Sequence, residues 1–155
     1  MKFAVALIVM AALLSGCDTS RVFEDNKDFN RRAWSVSDTV AFEFSITDPV
    51  PYNLLCNVRN SLDYPYSRIF VNYTLEDSTH NVLATKLVVN YLFDVKTGEP
   101  KGNSGLGDIY DHRFSLLENR QLSPGKYFVR LQQYMRTDTL HGVLAAGVRV
   151  EKVQK

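Results

Sequence analysis

The chain reads as an all-β protein, an antiparallel β-sandwich of about seven to eight strands that follows a signal peptide and a short tether. Three observations predict this class. Apolar and polar residues alternate in run after run, the period-2 pattern of a strand buried on one face. Turn-forming residues separate the runs at short intervals. No segment after the signal shows the 3.6-residue periodicity of a long amphipathic helix.

The first element is the signal itself. Lys2 supplies a positive start, and Phe3 to Leu14 is an uncharged apolar run, well short of the ~20 residues that span a bilayer as a helix. Leu14-Ser15-Gly16-Cys17 then offers a branched apolar residue, two small residues and a thiol, the sequence that lipoprotein processing needs. The expectation is that residues 1–16 are cleaved and that Cys17 carries a covalent diacylglycerol, with no other cofactor. Each buried lipid methylene contributes about 0.8 kcal/mol, so two or more chains hold a protein at a membrane without a protein-built membrane surface. Loss of Lys2 balances the remaining basic residues against the 17 acidic ones. A neutral domain whose longest basic run is Arg31-Arg32 has no electrostatic basis for binding nucleic acid.

Residues 17–37 are polar and irregular, interrupted by Val22, Phe23, Phe29, Ala33 and Trp34, and read as the lipidated N-terminus and tether. Trp34 or Phe29 could dock back on the fold. Residues 38–155 read as the sandwich domain. In it Val40, Phe42, Phe44 and Ile46 share one face, as do Leu54, Cys56 and Val58. Ile69, Val71, Tyr73 and Leu75 form a third apolar row, and Leu83, Leu87, Val89 and Tyr91 a fourth. Further strands are expected between Ile109 and Leu117, at Tyr127-Val129-Leu131, and from Gly142 to Val153. Asp48-Pro49-Val50-Pro51, Asp63-Tyr64-Pro65, Asp77-Ser78, Lys96-Thr97-Gly98 and Ser123-Pro124-Gly125 supply the turns. An eight-stranded barrel shows the same alternation and stands as the competing architecture. With Cys17 acylated, Cys56 is the one thiol left, so no internal disulfide can form, and its apolar partners place it in the core.

Motifs that carry catalysis are missing: no nucleophile elbow, phosphate-binding glycine loop, zinc motif or EF-hand loop occurs. His80, His112 and His141 each stand alone, so no metal is expected. Asp108, Asp111 and His112 form one acidic constellation, yet neighbouring strand residues point to opposite faces. Tyr73, Tyr91 and Tyr127 fall in register with apolar faces, whereas Tyr64, Tyr66 and Tyr134 sit in loops or at strand ends, where amphipathic rings suit an interface.

Three stretches resemble one known family. They are Tyr52-Asn53-Leu54 through Val58-Arg59-Asn60 into Asp63-Tyr64-Pro65-Tyr66-Ser67, the glycine-punctuated loop from Gly98 to Ile109, and Pro124-Gly125-Lys126-Tyr127 through Gln132-Gln133-Tyr134-Met135-Arg136 to Gly147-Val148-Arg149-Val150-Glu151-Lys152. With Trp34 and the processing site, they make the chain similar over nearly its whole length to the gliding motility lipoprotein GldH family of Bacteroidota. Arg68 and Pro100 depart from the pattern, where the family more often has asparagine and an aromatic residue. The resemblance implies a lipid-anchored protein of the cell envelope, at the outer membrane, and names no substrate.

The resulting expectation is a non-catalytic interaction module tethered near a larger envelope assembly, where a raised local concentration makes weak contacts count. Arg59, Tyr64, Tyr66, Met135 and Arg136, at the ends of neighbouring strands, are the candidate contact residues for an envelope protein partner. The plainer alternative pairs Arg59 with a structural acid and has Tyr66 cap the sandwich. A glycan-binding module using Trp34 and loop tyrosines is the rival function, and an enzyme centred on Asp108, Asp111 and His112 is the third.

Overall fold

The structure, a computed structural model, describes residues 18–154; Cys17 and the signal segment lie outside the described residues. Eleven strands follow in chain order: β1 (Arg21–Asp28), β2 (Ala33–Ser35), β3 (Val40–Ile46), β4 (Pro51–Ser61), β5 (Arg68–Asp77), β6 (Val82–Tyr91), β7 (Asn103–Ser104), β8 (Ile109–Gln121), β9 (Gly125–Gln133), β10 (Thr139–His141) and β11 (Val143–Lys152). One sheet has the order β1-β11-β4-β8-β7, the other β3-β9-β5-β6, and a small ribbon pairs β10 with β2. Every pairing is antiparallel. Two open sheets face each other, so the architecture is a sandwich and not a closed barrel.

The alternation does what period-2 patterning dictates. In β4, Tyr52, Leu54, Cys56 and Val58 are buried while Asn53, Leu55, Asn57 and Arg59 face out. Opposite them lie Val40, Phe42, Phe44 and Ile46 of β3, and Ile69, Val71, Tyr73 and Leu75 of β5. Three tyrosines pin turns through their hydroxyls: Tyr52 donates to the Asp48 carbonyl at 2.8 Å, Tyr127 to Ser123 at 2.8 Å and Tyr64 to Arg68 at 2.9 Å.

Two expectations differ from what is observed. Part of the segment read as a tether is inside the fold: β1 pairs with β11 from Arg21 to Asp28, and Phe23 packs on Phe42 and Phe44 with ring centroids 6.4 and 5.8 Å apart. The charged sequence of β1 belongs to an edge strand, where charge discourages pairing with foreign strands. Trp34, in β2, is fully buried, stacks on Phe29 at 5.0 Å and donates its Nε1–H to the Asp38 carbonyl at 2.8 Å. It therefore offers no exposed ring as a glycan platform.

The second difference is the face of β6. Lys86, Val88 and Asn90 lie opposite Tyr73, Val71 and Ile69, whose side chains point into the core. Leu87, Val89 and Tyr91 consequently lie opposite Asn72, Phe70 and Arg68 and are 44%, 46% and 42% exposed. Of the row expected to be buried, Leu83 packs partly against the core, while Leu87, Val89 and Tyr91 face solvent.

The strand directions give the sandwich two unlike ends. At the end where the chain enters, the connections are short: residues 47–50, 78–81 and 122–124. At the opposite, distal end lie residues 29–32, 36–39, 62–67, 92–108 and 134–138.

Candidate functional site

The distal end carries a groove of about 1070 Å³, lined by Tyr66, Arg68, Phe70, Leu87, Tyr134 and Arg136 among others. Gln133, at the end of β9, builds one wall. Buried but fully used, its amide nitrogen donates to the Thr137 carbonyl at 2.9 Å, and its oxygen accepts from the Met135 N–H at 2.8 Å. That closes the 134–138 loop. The Tyr134 N–H donates to the Phe70 carbonyl at 2.8 Å and the Phe70 N–H to the Met135 sulfur at 3.4 Å, so the loop is zipped to the start of β5. Tyr134 and Arg136 are thereby held outward on a fixed backbone.

The other wall is the Tyr64-Pro65-Tyr66 turn. Tyr64 is buried, 4% exposed, stacked against Phe93 at 6.4 Å and edge-on to Tyr66 at 5.8 Å. Burial pushes its hydroxyl pKa up, with the neighbouring Tyr66 adding to the shift. Tyr64 is thus a support that orients the exposed Tyr66, not a contact residue itself. The Arg68 guanidinium lies over the Phe70 ring, 5.2 Å from its centroid. No carboxylate lines the groove among the described residues. Of the five candidate contact residues, Tyr66, Met135 and Arg136 come together here, and Arg68, Tyr134 and Leu87 join them.

Arg59 lies elsewhere. It projects from the outer face of the five-stranded sheet, where Nε and Nη2 donate to Asp111 at 2.7 and 3.3 Å. That two-point pairing with a structural acid is the plainer alternative realised. It borders a separate cavity of about 640 Å³ with Arg31, Arg32 and the exposed Leu106. The acidic constellation is dispersed as strand geometry requires. Asp111 turns outward to Arg59, His112 is buried on the opposite face, and Asp108 pairs with Arg32 at 3.7 Å. Burial lowers the His112 pKa, against the opposing pull of Asp111. Cys56 is buried as expected, and burial raises its thiol pKa far above the reactive range.

The outer face of the five-stranded sheet holds a network that no sequence pattern announces. Arg149, on β11, is 5% exposed and donates to Glu24 at 3.0 Å, to Glu151 at 2.9 Å and to Asp18. Glu24 also accepts from Asn57 at 2.9 Å and from Arg113 at 2.5 Å. Burial opposes the ionised state of both Glu24 and Arg149, yet these hydrogen bonds prevail: Glu24 is shifted down and Arg149 up. Ser20 and Arg149 hold the Asp18 carboxyl below the usual range. Two more bonds tie down this corner, from the Lys152 N–H to the Ser20 carbonyl at 2.8 Å and from Lys152 Nζ to Asp48 at 2.5 Å. The first residue after Cys17 is therefore clamped to the entry end. Its only sequence signal is a lone arginine within an apolar strand, and its partners are 125 and 131 residues away.

Comparison with known proteins gives the family. Residues 21–150 match the model of a family described as GldH lipoprotein. A gliding motility lipoprotein GldH homolog of Christiangramia forsetii is 30% identical over 160 residues, covering 97% of this chain and 96% of that protein. The gliding motility lipoprotein GldH of Flavobacterium johnsoniae is 29% identical over 154 residues, covering 94% of each. Among solved structures, a family GH115 4-O-methyl-α-glucuronidase is similar with a TM-score of 0.46 and 12% identity, over 89% of this chain but 18% of that one. Infectious bursal disease virus VP2 follows at 0.42 and 11%, over 87% of this chain and 33% of that one. Neither structural likeness is close enough to bear on function. Because the family match runs from β1 into β11 and takes in both sheets, this chain belongs to the GldH lipoprotein family, lipid-anchored proteins of the cell envelope.

Proposed function

We propose that the protein is a non-catalytic interaction module, anchored to the outer membrane by lipid on Cys17, that presents its distal groove to a protein partner in an envelope motility or secretion-linked assembly. The observation that carries this reading is the opposition of the two ends. Asp18, one residue from the proposed anchor, is clamped by Arg149 at the entry end, while the groove of Tyr66, Arg68, Tyr134 and Arg136 lies at the other. With no slack segment between lipid and body, the sandwich stands on the bilayer and points the groove away from it. Exposed tyrosines and arginines around apolar side chains have the composition of interface hot spots.

The test is recovery of envelope partners from intact cells by crosslinking and affinity capture. Combined Tyr66→Ala and Arg136→Asp substitutions are expected to abolish recovery of a specific partner, while Arg59→Ala leaves it intact and the circular dichroism spectra match. Unchanged recovery with the groove variant overturns the assignment of the surface.

A further inference from the structure

The row of exposed apolar side chains on β6 belongs to a strand that has a partner on one side only. In the order β3-β9-β5-β6, β6 is the last strand, so half of its backbone N–H and C=O groups point away from the sheet. Edges in folded proteins are commonly protected by charge, proline or a bulge that turns the strand away. The contrast with β1, an edge of the other sheet, is direct: β1 has five charged residues in eight, Arg21, Glu24, Asp25, Lys27 and Asp28. In ten residues β6 has only Lys86 as a charge and no proline, and its one pairing irregularity lies at Leu83, near its start, leaving Ala84 to Tyr91 in regular register with β5. Its apolar residues are also split between the two faces, with Leu83, Ala84 and Val88 packed against the core and Leu87, Val89 and Tyr91 toward solvent.

Beneath this edge the sandwich is open. A slot of about 510 Å³ runs along the edge between β6 and β8, lined by Lys86, Leu87, Val88 and Val89 of β6 and by Leu117 and Glu118 of β8. β8 has only the two-residue β7 on its outer side, opposite Tyr110 and Asp111, so beyond that point this flank of both sheets lacks a covering strand among the described residues. An extended segment laid along β6 would satisfy its outward backbone groups. Alternate side chains would enter the slot, and the others would lie beside Leu87, Val89 and Tyr91.

We propose that β6 accepts an extended segment of a partner protein as a fifth strand of the β3-β9-β5-β6 sheet, the segment alternating apolar residues and carrying carboxylates. This rests on the interaction-module reading and specifies the form of the partner. Charge favours an acidic segment: Lys86 lies mid-strand, and Arg68 and Arg136 line the adjoining groove, three cations against the single carboxylate, Glu118, across the slot on β8. Charge also disfavours a second copy of this chain in the antiparallel register that sets Lys86 opposite Lys86, where two ammonium groups would meet.

The test uses the full lipidated protein in intact cells, with a photo-crosslinking amino acid placed singly at Val89, Tyr91 or Tyr66. Strand addition requires that positions 89 and 91 capture the same partner segment at sites two residues apart, in a stretch of alternating apolar residues with Asp or Glu. Leu87→Lys, a surface change, is expected to abolish both captures. Capture of a second copy of this chain, or of sites without the two-residue step, overturns the proposal. Capture from position 66 with none from β6 overturns strand addition alone. No capture from any of the three overturns the interaction-module reading as well.

Discussion

Gly142 shows how a single position holds the distal end together. It has φ of 80°, donates its N–H to the Arg32 carbonyl at 2.8 Å and accepts from the Ser61 N–H at 2.9 Å. A Cβ there would lie 2.6 Å from the Tyr64 Cα, a collision with backbone that a side-chain movement cannot relieve. Gly142→Ala is expected to destabilise the domain by about 2 kcal/mol or more, read from urea unfolding. Arg149 makes the opposite kind of contribution, since it is valuable for what it neutralises. Arg149→Met leaves the half-buried Glu24 with less compensation and frees Asp18, and should cost about 2–3 kcal/mol in the same measurement. Trp34 supplies a third check, because a buried indole stacked on Phe29 emits in the blue and is insensitive to added envelope polysaccharide. A red-shifted emission that responds to polysaccharide would contradict its placement. None of these three roles is visible in local sequence. A glycine in a turn and an arginine in an apolar run acquire their meaning from residues far along the chain, and a tryptophan in a polar stretch is held by Phe29 and Asp38 nearby and by the pairing of β2 with the distant β10.

Among the elements, β1 is the one whose nature the residues conceal. Its inward contribution is Val22 and Phe23, too few to register as alternation, and the rest faces solvent or joins the ion network. A chain beginning at Asn30 therefore separates the two readings: loss of a mere tether would leave the unfolding midpoint unchanged. Loss of β1 exposes Phe42, Phe44 and the β11 edge, and a lowered or absent cooperative transition is expected. β6 conceals something different. Leu83, Leu87, Val89 and Tyr91 do alternate, so the element and its type were legible, but its face was not. A register shift of one residue turns a whole strand over. The register of β6 is set by its pairing with β5, and that pairing directs Val88 toward Val71. By contrast, the faces of β3, β4 and β5 follow their patterns, since each lies over the opposing sheet along its whole length and apolar burial admits only one orientation.

For the molecule as a whole, stability should fall with acid in two stages of the same sign but different cause, burial of an imidazole and hydrogen bonding of carboxylates. Burial lowers the His112 pKa from its ordinary 6.5, so the unfolded chain takes up the proton more readily than the folded one. Its contribution is fully present above the ordinary value of 6.5 and is lost as pH falls below that through the lowered folded-state pKa. The carboxyls act lower down. Asp77 is held at about 2 by the Thr79 hydroxyl and neighbouring N–H groups, against the smaller effect of its own desolvation, and Asp18 and Glu24 are also depressed. Their stabilisation is present above about pH 4 and disappears below it. Urea midpoints measured from pH 8 to 3 should show both declines, and His112→Asn should remove the first while sparing the second. The sequence by itself determined the all-strand class and the lipid-anchored family, because alternation and the family-wide match are written along the chain. Only the tertiary structure decided that Arg149 meets Asp18 and Glu24, that Tyr64 supports Tyr66, and that β6 turns its apolar row outward. Those outcomes depend on which strands become neighbours and in what register, and such non-local choices are settled by burial of the whole core and not by any one segment.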